Sequence, residues 1–391
     1  MIKSRDLKLS VVSVTIVLAG LALSKGWEEY SDPKLLNDNY EYNLQKLPLN
    51  GEVKGSHTPW TDSYWPDNKM GIAHRWYKPK CDKRASEEEK AKQDCDFKYK
   101  TPEYYQLIRM SQEQLKKLSP AEKFDIYRGR YDFPLVKKMK EELGPNMPKW
   151  KGICDGWTPA ALNHPEPKPV VRRNADGIEV PFGSSDVKAL MSYYYSQEQD
   201  DEYQVNFLGL RCNSKLFGGK KCKDDVNAGA FHTILTNQLG LMNQGFAIDV
   251  PIRRAKEVWN QPVIAYKTRK LSERKPSKDD FEKKKIHART HREVLMETRL
   301  TYVSEFEPEE RGDPEASWEP VVGTRLQRTK YQDYRYWLEL DYNGNIIGGR
   351  YVDHENLDSP PDFVWTATSV SRFKGQFEKL NEIYEPADNN P

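Results

Sequence analysis

The sequence predicts an α+β fold with a helical first part and a β-rich last third. Ser111 stands three residues before Gln114, and Ser119 three before Glu122, which is the spacing of a helix capping box. The run YRYWLELDYNGNIIGGRYV alternates apolar and polar residues around an Asn-Gly pair, which predicts a β-hairpin. Between these regions, short helical patterns alternate with strand-like runs such as GAFHTILTN and GFAIDV. Helices should therefore begin at both serines, and strands should dominate toward the C-terminus.

The composition indicates a folded protein with a polar surface. Aromatic residues make up 12% of the 391 residues, whereas hydrophobic residues reach only 37%, so we expect a core rich in aromatic side chains. The 61 basic and 59 acidic residues nearly cancel, and the net charge is +2. This balance gives no electrostatic reason to expect nucleic acid or an anionic membrane as a partner.

Residues 1–24 have the pattern of a secretory signal peptide. Lys3, Arg5 and Lys8 precede a nearly unbroken apolar run from Leu9 to Leu23. This run is short for a membrane span of about 20 residues, and small residues stand where a signal peptidase cleaves. The alternative is an uncleaved signal anchor. We expect a protein that is secreted, or held in the periplasm or cell envelope, without stable membrane association after cleavage.

Five cysteines cannot all form pairs within one chain. In an oxidising compartment, pairing of neighbours would join Cys81 to Cys95 and Cys212 to Cys222, each closing a short, lysine-rich loop. Such loops contribute about 3 kcal/mol each in the chain-entropy model. Cys154 is then the free thiol, although an idle odd cysteine is the simpler alternative.

The chain divides into five predicted regions. Residues 25–100 form an irregular segment rich in Tyr, Trp, Asn, Asp and Pro, which could instead be a pro-region. The other regions are the signal peptide 1–24, a catalytic core at 101–266, a charged loop or excursion at 267–295 and a β-rich part at 296–391. His287 and His291 lie four residues apart in the charged region, but nothing nearby supplies a third ligand, so no metal site is predicted.

Cys154 stands in a sequence that suits a thiol nucleophile. A thiol reacts as the thiolate, whose formation is favoured at a helix N-terminus beside an imidazole. A glycine-containing turn leads into the cysteine, Trp157 could form a wall of the site, and Thr158-Pro159 predicts a helix start. A buried structural cysteine packed by Trp157 is the alternative.

His232 is the predicted general base. It lies in GAFHTILT, an apolar run that we interpret as β-like, and Asp249 on the next predicted strand would orient its imidazole. Asn237 is an alternative third member, and an ordinary core histidine is an alternative for His232 itself. The order cysteine, histidine, carboxylate is typical of papain-like and transglutaminase-like thiol enzymes.

Several strings of the sequence resemble, in order, the transglutaminase elicitor family of oomycetes and its bacterial relatives. They lie at residues 118–135, 150–162, 186–190, 228–240, 257–266, 339–351 and 360–365. VWNQPV, Val258–Val263, is the most specific string and is similar to the core of the family's surface elicitor epitope. Asp155 is a departure, because the family more often has histidine after the cysteine; a carboxylate there would raise the pKa of the thiol.

The resemblance implies a papain-like or transglutaminase-like cysteine catalytic core that performs γ-glutamyl transfer. Cys154 would attack a glutamine side chain, His232 would protonate the leaving ammonia, and a lysine or another primary amine would resolve the thioester. The substrates implied are proteins with glutamine and lysine, or small primary amines. Trp259 would line the acceptor groove or simply pack. Calcium stimulation is implied as well, with no residues to assign to the ion, and no cofactor is required.

Two other classes of function share these features. A papain-like cysteine protease or a deamidase uses the same side chains, but papain-like proteases carry a glutamine upstream of the cysteine, and none occurs between Pro148 and Ile153. A non-catalytic cell-surface protein could retain the fold without activity. Incorporation of an amine separates the transferase from both.

Overall fold

The computed structural model describes residues 26–54, 57–76, 95–198, 201–210, 226–250, 257–283, 286–306, 317–352 and 359–387. The predicted signal peptide lies outside these residues. So do Cys81, Cys212 and Cys222 and the side chain of Cys95, and with them both predicted disulfides.

The described chain combines ten α-helices with ten strands. The helices are α1 Cys95–Lys98, α2 Tyr104–Leu107, α3 Gln112–Lys116, α4 Pro120–Tyr127, α5 Pro134–Glu142, α6 Cys154–Asn163, α7 Ser184–Gln197, α8 Ala228–Leu235, α9 Lys278–Glu282 and α10 Leu380–Ile383. Short 3₁₀ turns lie at Glu29–Ser31, Pro33–Leu35, Leu44–Lys46, Asp67–Lys69, Gly71–Ala73 and Gly375–Phe377, and a π-helical turn, Thr236–Leu241, extends α8. Of the described helices, none is long and apolar enough to cross a membrane.

The strands form one large antiparallel sheet and one small hairpin. They are β1 Asn50–Glu52, β2 Val170–Arg173, β3 Glu179–Phe182, β4 Val205–Gly209, β5 Phe246–Asp249, β6 Asn260–Arg274, β7 Arg292–Val303, β8 Thr329–Leu340, β9 Ile346–Tyr351 and β10 Phe363–Ala367. The large sheet has the order β4-β10-β5-β6-β7-β8-β9, with β1 also paired to β6, whereas β2 and β3 pair with each other. The mixed helix and sheet architecture confirms the predicted α+β class.

Local sequence signals determine where α3 and α4 begin. The side chains of Ser111 and Ser119 each accept a hydrogen bond from the backbone N–H three residues later. The side chains of Gln114 and Glu122 accept the backbone N–H of the respective serine. Both predicted capping boxes are therefore confirmed, since α3 and α4 begin directly after these serines. Pro120 occupies the first position of α4, where a missing N–H costs nothing.

The helices and the N-terminal aromatic residues enclose one hydrophobic core, which we call the helical core. Trp60, Trp65 and Trp157 are fully buried there, as the aromatic-rich composition predicted. Gly156 lets α6 lie against α7, because a Cβ at this position would come within 1.9 Å of the Ser192 carbonyl oxygen.

A second core, the sheet core, lies between α8 and the sheet. The prediction of a strand for GAFHTILTN was wrong, because Phe231, Ile234 and Leu235 follow the i, i+3, i+4 spacing of a helix and pack as one apolar face. Asn227 caps this helix by accepting the N–H of Gly229. The strand at GFAIDV and the hairpin of β8 and β9 are confirmed.

The charged region differs from the loop that we expected. Its first residues continue β6 to Arg274, and α9 follows. Charged side chains on this part of β6 are exposed and pair across the sheet, as Arg269 does with Glu297. Cross-strand pairing therefore stabilises this part of β6, although its few apolar residues had favoured a loop.

The N-terminal segment is part of both cores. Leu36, Tyr40 and Leu47 are buried in the sheet core, and the residues after 57 contribute to the helical core. The Asn237 side chain binds the backbone of Glu41 on both sides, donating to its carbonyl oxygen at 2.9 Å and accepting its N–H at 2.8 Å. The described part of this segment is thus built into the fold.

Candidate active site

Cys154 is the first residue of α6, four residues before the predicted helix start at Thr158. The Ile153 carbonyl oxygen accepts the N–H groups of Gly156 and Trp157 at 3.0 and 2.9 Å, which closes the first turn. The N–H of Ile153 donates to the Tyr64 carbonyl oxygen at 2.8 Å and fixes the turn to the N-terminal segment. Cys154 carries a free thiol that is 6% exposed. The helix N-terminus therefore lies at the thiol itself, where its dipole favours a thiolate.

The sulfur of Cys154 contacts the start of β6. Its Sγ lies 3.8 Å from the Val258 carbonyl oxygen, and the Asn260 side-chain amide donates to it at 3.6 Å. The Asn260 amide is held in place, because its Oδ1 accepts the indole N–H of Trp365 at 2.8 Å. Thr158 donates to the Asn260 carbonyl oxygen at 2.9 Å and ties α6 to the strand. The immediate partners of the thiol thus come from the VWNQPV string.

Asp249 lies on the neighbouring strand, directly across from Asn260. Its Oδ1 accepts the backbone N–H of Trp259 at 2.7 Å, and its side chain is fully buried. The structure therefore brings Asp249 to the strand ends that contact Cys154.

The surroundings of Cys154 hold its thiol in the protonated form. Burial, and after it the charge of Asp155, raise the pKa of Cys154 from 9.0 to about 12, while hydrogen bonds from Asn260 act in the opposite direction. The Asp155 side chain is exposed but crowded by neighbouring atoms, and this desolvation raises its pKa. Its carboxylate accepts the Ser196 hydroxyl at 3.1 Å. The carboxylate thus opposes thiolate formation, as predicted for an anion at this position.

His232 does not contact Cys154. It lies on α8 in the sheet core, where its Nδ1 is 2.8 Å from the Tyr336 hydroxyl, which in turn bonds Thr298. Thr298 bonds Thr268, and Thr268 follows Asn260 by eight positions on β6. Eight residues of strand span roughly 26 Å, so the imidazole lies near the middle of β6, whereas the thiol lies at its start. Burial also lowers the pKa of His232 to about 3, which keeps the imidazole neutral.

The other predicted site residues are Trp157, Trp259 and Asn237. Trp157 is a fully buried core residue whose indole N–H donates to the Trp60 carbonyl oxygen at 3.2 Å, so it forms no open wall. Trp259 is half-buried and contacts Tyr64 edge to face, with ring centroids 5.2 Å apart. Asn237 lies in the π-helical turn and holds the N-terminal segment, as described above. Of these residues, Trp259 alone belongs to the segment that contacts Cys154.

Asn260 and Trp365 were not singled out from the sequence. Both belong to strings that resemble the family, VWNQPV and PPDFVW. That resemblance is the signal in the sequence that could have indicated them as site residues. Among the described residues, no group of three His, Cys, Asp or Glu side chains could hold a metal ion.

Comparison with known proteins identifies the family of this chain. The family model of the transglutaminase elicitor matches residues 33–376, and it spans both cores and the cysteine. The family model thus defines a transglutaminase-like protein. The chain belongs to the transglutaminase elicitor family.

One solved structure has a similar fold. The crystal structure of the GP42 transglutaminase from Phytophthora sojae is 22% identical in sequence, with a TM-score of 0.59 and coverage of 94% of each chain. This likeness shows a shared fold. Among curated protein sequences, none matches this chain significantly.

Proposed function

We propose that the protein is a protein-glutamine γ-glutamyltransferase with Cys154 as its nucleophile. The observation that carries this proposal is the free thiol at the N-terminus of α6, with the Asn260 amide directed at its sulfur. Membership of the transglutaminase elicitor family and the name of the structural neighbour support the same activity.

The proposed reaction has two steps. The sulfur of Cys154 attacks the γ-carboxamide carbon of a glutamine, the C–N bond breaks, and ammonia leaves with the proton of the thiol. A primary amine then attacks the thioester, the C–S bond breaks, and the thiol is restored. Water in place of the amine would give deamidation.

The Asn260 amide has two roles in this proposal. It donates to the sulfur, which favours the thiolate, and it can donate to the oxygen that becomes negative when the carbonyl carbon is attacked. One such donor contributes about 3 kcal/mol of transition-state stabilisation in other acyl-transfer sites. Asp249 would act through the backbone of Trp259, which it holds beside Asn260. His232 is left out of this proposal, because its hydrogen-bond network meets β6 at Thr268, eight positions from Asn260.

A labelled primary amine and a glutamine-donor protein test the proposal. We expect the purified protein to incorporate the amine and Cys154→Ala to abolish incorporation. Asp38→Asn is the control, because Asp38 is exposed in the N-terminal segment that packs on the sheet core. Peptide cleavage without incorporation would support a papain-like protease instead, and release of ammonia without incorporation would support a deamidase.

A non-catalytic protein on the same fold is the second candidate. The buried thiol with its raised pKa favours it, because such a cysteine is unreactive at neutral pH. Lack of incorporation, together with failure of iodoacetamide to label Cys154 in the folded protein, would support it. Secretion belongs to the proposal too, since it follows from the pattern of residues 1–24; recovery of the protein from the cell exterior, without those residues, would establish it.

A further inference from the structure

The side-chain amide of Asn260 has two ends with opposite effects on a thiolate. Its NH₂ group donates hydrogen bonds and stabilises a negative sulfur, whereas its carbonyl oxygen repels one. In the structure the NH₂ group faces Cys154, with Nδ2 3.6 Å from Sγ. A rotation of about 180° about the last side-chain bond would exchange the two ends, which have nearly the same shape. The reactivity of the thiol therefore depends on what fixes this rotation.

The indole of Trp365 selects the end that faces the sulfur. Its Nε1–H donates to Asn260 Oδ1 at 2.8 Å, and both side chains are buried. An indole N–H is a donor only, so it cannot accept a hydrogen bond from the NH₂ group. In the rotated amide two donors would face each other inside the protein, and both would lose their partners. The hydrogen bond to the indole thus excludes the rotated amide.

Trp365 is held by the sheet on both sides. It lies on β10, across from Phe207 on β4 and from Ala247 on β5. Its side chain packs in a small apolar cluster with Ala247 and Phe363. The indole N–H therefore belongs to a strand with two neighbours, and its position relative to β6 is fixed by β5, which lies between them.

The backbone of Asn260 is fixed by other groups. The Thr158 hydroxyl donates to its carbonyl oxygen at 2.9 Å, and Asp249 is its partner across the sheet. These contacts place the residue but leave the orientation of its amide open. The contribution of Trp365 is therefore specific to the amide, and it differs from that of the strand pairing.

We propose that Trp365 is a positioning residue that directs the NH₂ group of Asn260 toward the sulfur of Cys154 and toward the carbonyl oxygen of the glutamine substrate. This role rests on the proposed function, in which Asn260 is the hydrogen-bond donor. An NH₂ group has two N–H bonds, so one can donate to the sulfur while the other donates to the oxygen. Trp365 acts through Asn260 in both cases.

A double-mutant cycle with Trp365→Phe and Asn260→Ala tests this role. Phenylalanine keeps an aromatic ring on the strand and removes the N–H. We expect Trp365→Phe to slow iodoacetamide labelling of Cys154 between pH 8 and 10 by about three- to tenfold, since hydrogen bonds to charged groups are strong. In the Asn260→Ala protein the same substitution should change the rate by less than about twofold, because no amide remains to be directed. Trp337→Phe, on β8 of the same sheet, is the matched control.

The indole proton itself gives a second measurement, by NMR of the full-length protein. Its signal is identified by its absence in Trp365→Phe. In Asn260→Ala this signal should shift and its exchange with solvent should become faster, because the indole N–H has lost its acceptor. An indole signal that is the same in Asn260→Ala and in the wild-type protein would overturn the assignment, whatever the labelling rates are.

Equal slowing by Trp365→Phe in both backgrounds would also overturn it, since the ring would then act through packing alone. The same holds if the wild-type thiol is not labelled up to pH 10. The proposed function fails separately. If the labelling cycle shows the expected coupling but the wild-type protein incorporates no amine, the role of Trp365 stands and the transferase activity does not. In an active protein we expect Trp365→Phe to lower kcat and to leave the KM for the amine unchanged. If kcat is also unchanged, the activity stands and the role of Trp365 does not.

Discussion

Replacing Asp155 by asparagine should lower the pKa of the Cys154 thiol and speed its alkylation. With a pKa of about 12, about one thiol in ten thousand is ionised at pH 8. Asp155 is the second cause of this raised pKa after burial, so removal of its charge lowers the pKa of the thiol. Asparagine keeps the shape of the side chain and can still accept the Ser196 hydroxyl, so the change is mainly one of charge.

The expected rate follows from the pKa. The Asp155 side chain is exposed, and two charges about 4 Å apart in water interact by about 1 kcal/mol, so the thiolate fraction should rise by up to about fivefold. A less basic thiolate is also a weaker nucleophile, so the net gain is about two- to threefold. Iodoacetamide labelling of Cys154 from pH 8 to 10, measured by mass spectrometry, gives both the rate and its pH dependence. Asp38→Asn is the control. An unchanged rate and an unchanged pH profile in Asp155→Asn would refute the assigned role of the Asp155 charge.

Three further substitutions test other parts of the structure. Asn260→Ala should slow labelling of Cys154 at every pH in that range, because the lost amide had lowered the thiol pKa; faster labelling would contradict this role. Gly156→Ala should destabilise the protein by about 1–3 kcal/mol in urea, since a Cβ there overlaps backbone, whereas Gly144→Ala meets open space and should have little effect. Asp125, whose pKa burial raises to about 7, binds its proton more tightly in the folded state. The free energy of unfolding should therefore fall, by at most about 4 kcal/mol, as the pH rises from about 4 to 7 and Asp125 loses its proton. Urea titrations of Asp125→Asn should show a weaker pH dependence than those of the wild-type protein.

The parts of the fold that depend on neighbouring residues could be predicted from the sequence. The caps at Ser111 and Ser119 and the turn at Asn343-Gly344 involve side chains and backbone only a few residues apart, so their signals are local. The position of Cys154 at the start of a helix was also predicted, to within four residues.

The remainder depends on contacts between distant parts of the chain. Asn260 reaches Cys154 across 106 positions, and no local pattern indicates such a contact. The run around His232 is apolar enough for either a helix or a strand, and packing against β8 and β9 decides for the helix. The assignment of His232 as the base depended on that strand, whereas the assignment of Cys154 did not.

The attachment of the N-terminal segment has a consequence for how the protein folds. Glu41 is bound by Asn237, 196 positions later, and Asn50 pairs with Lys267. Contacts across such long loops form late, because the chain must lose its freedom before the contacts compensate for that loss. Residues 41–52 should therefore be among the last to gain protection from hydrogen exchange during refolding, although the chain is synthesised in the order that places them before their partners.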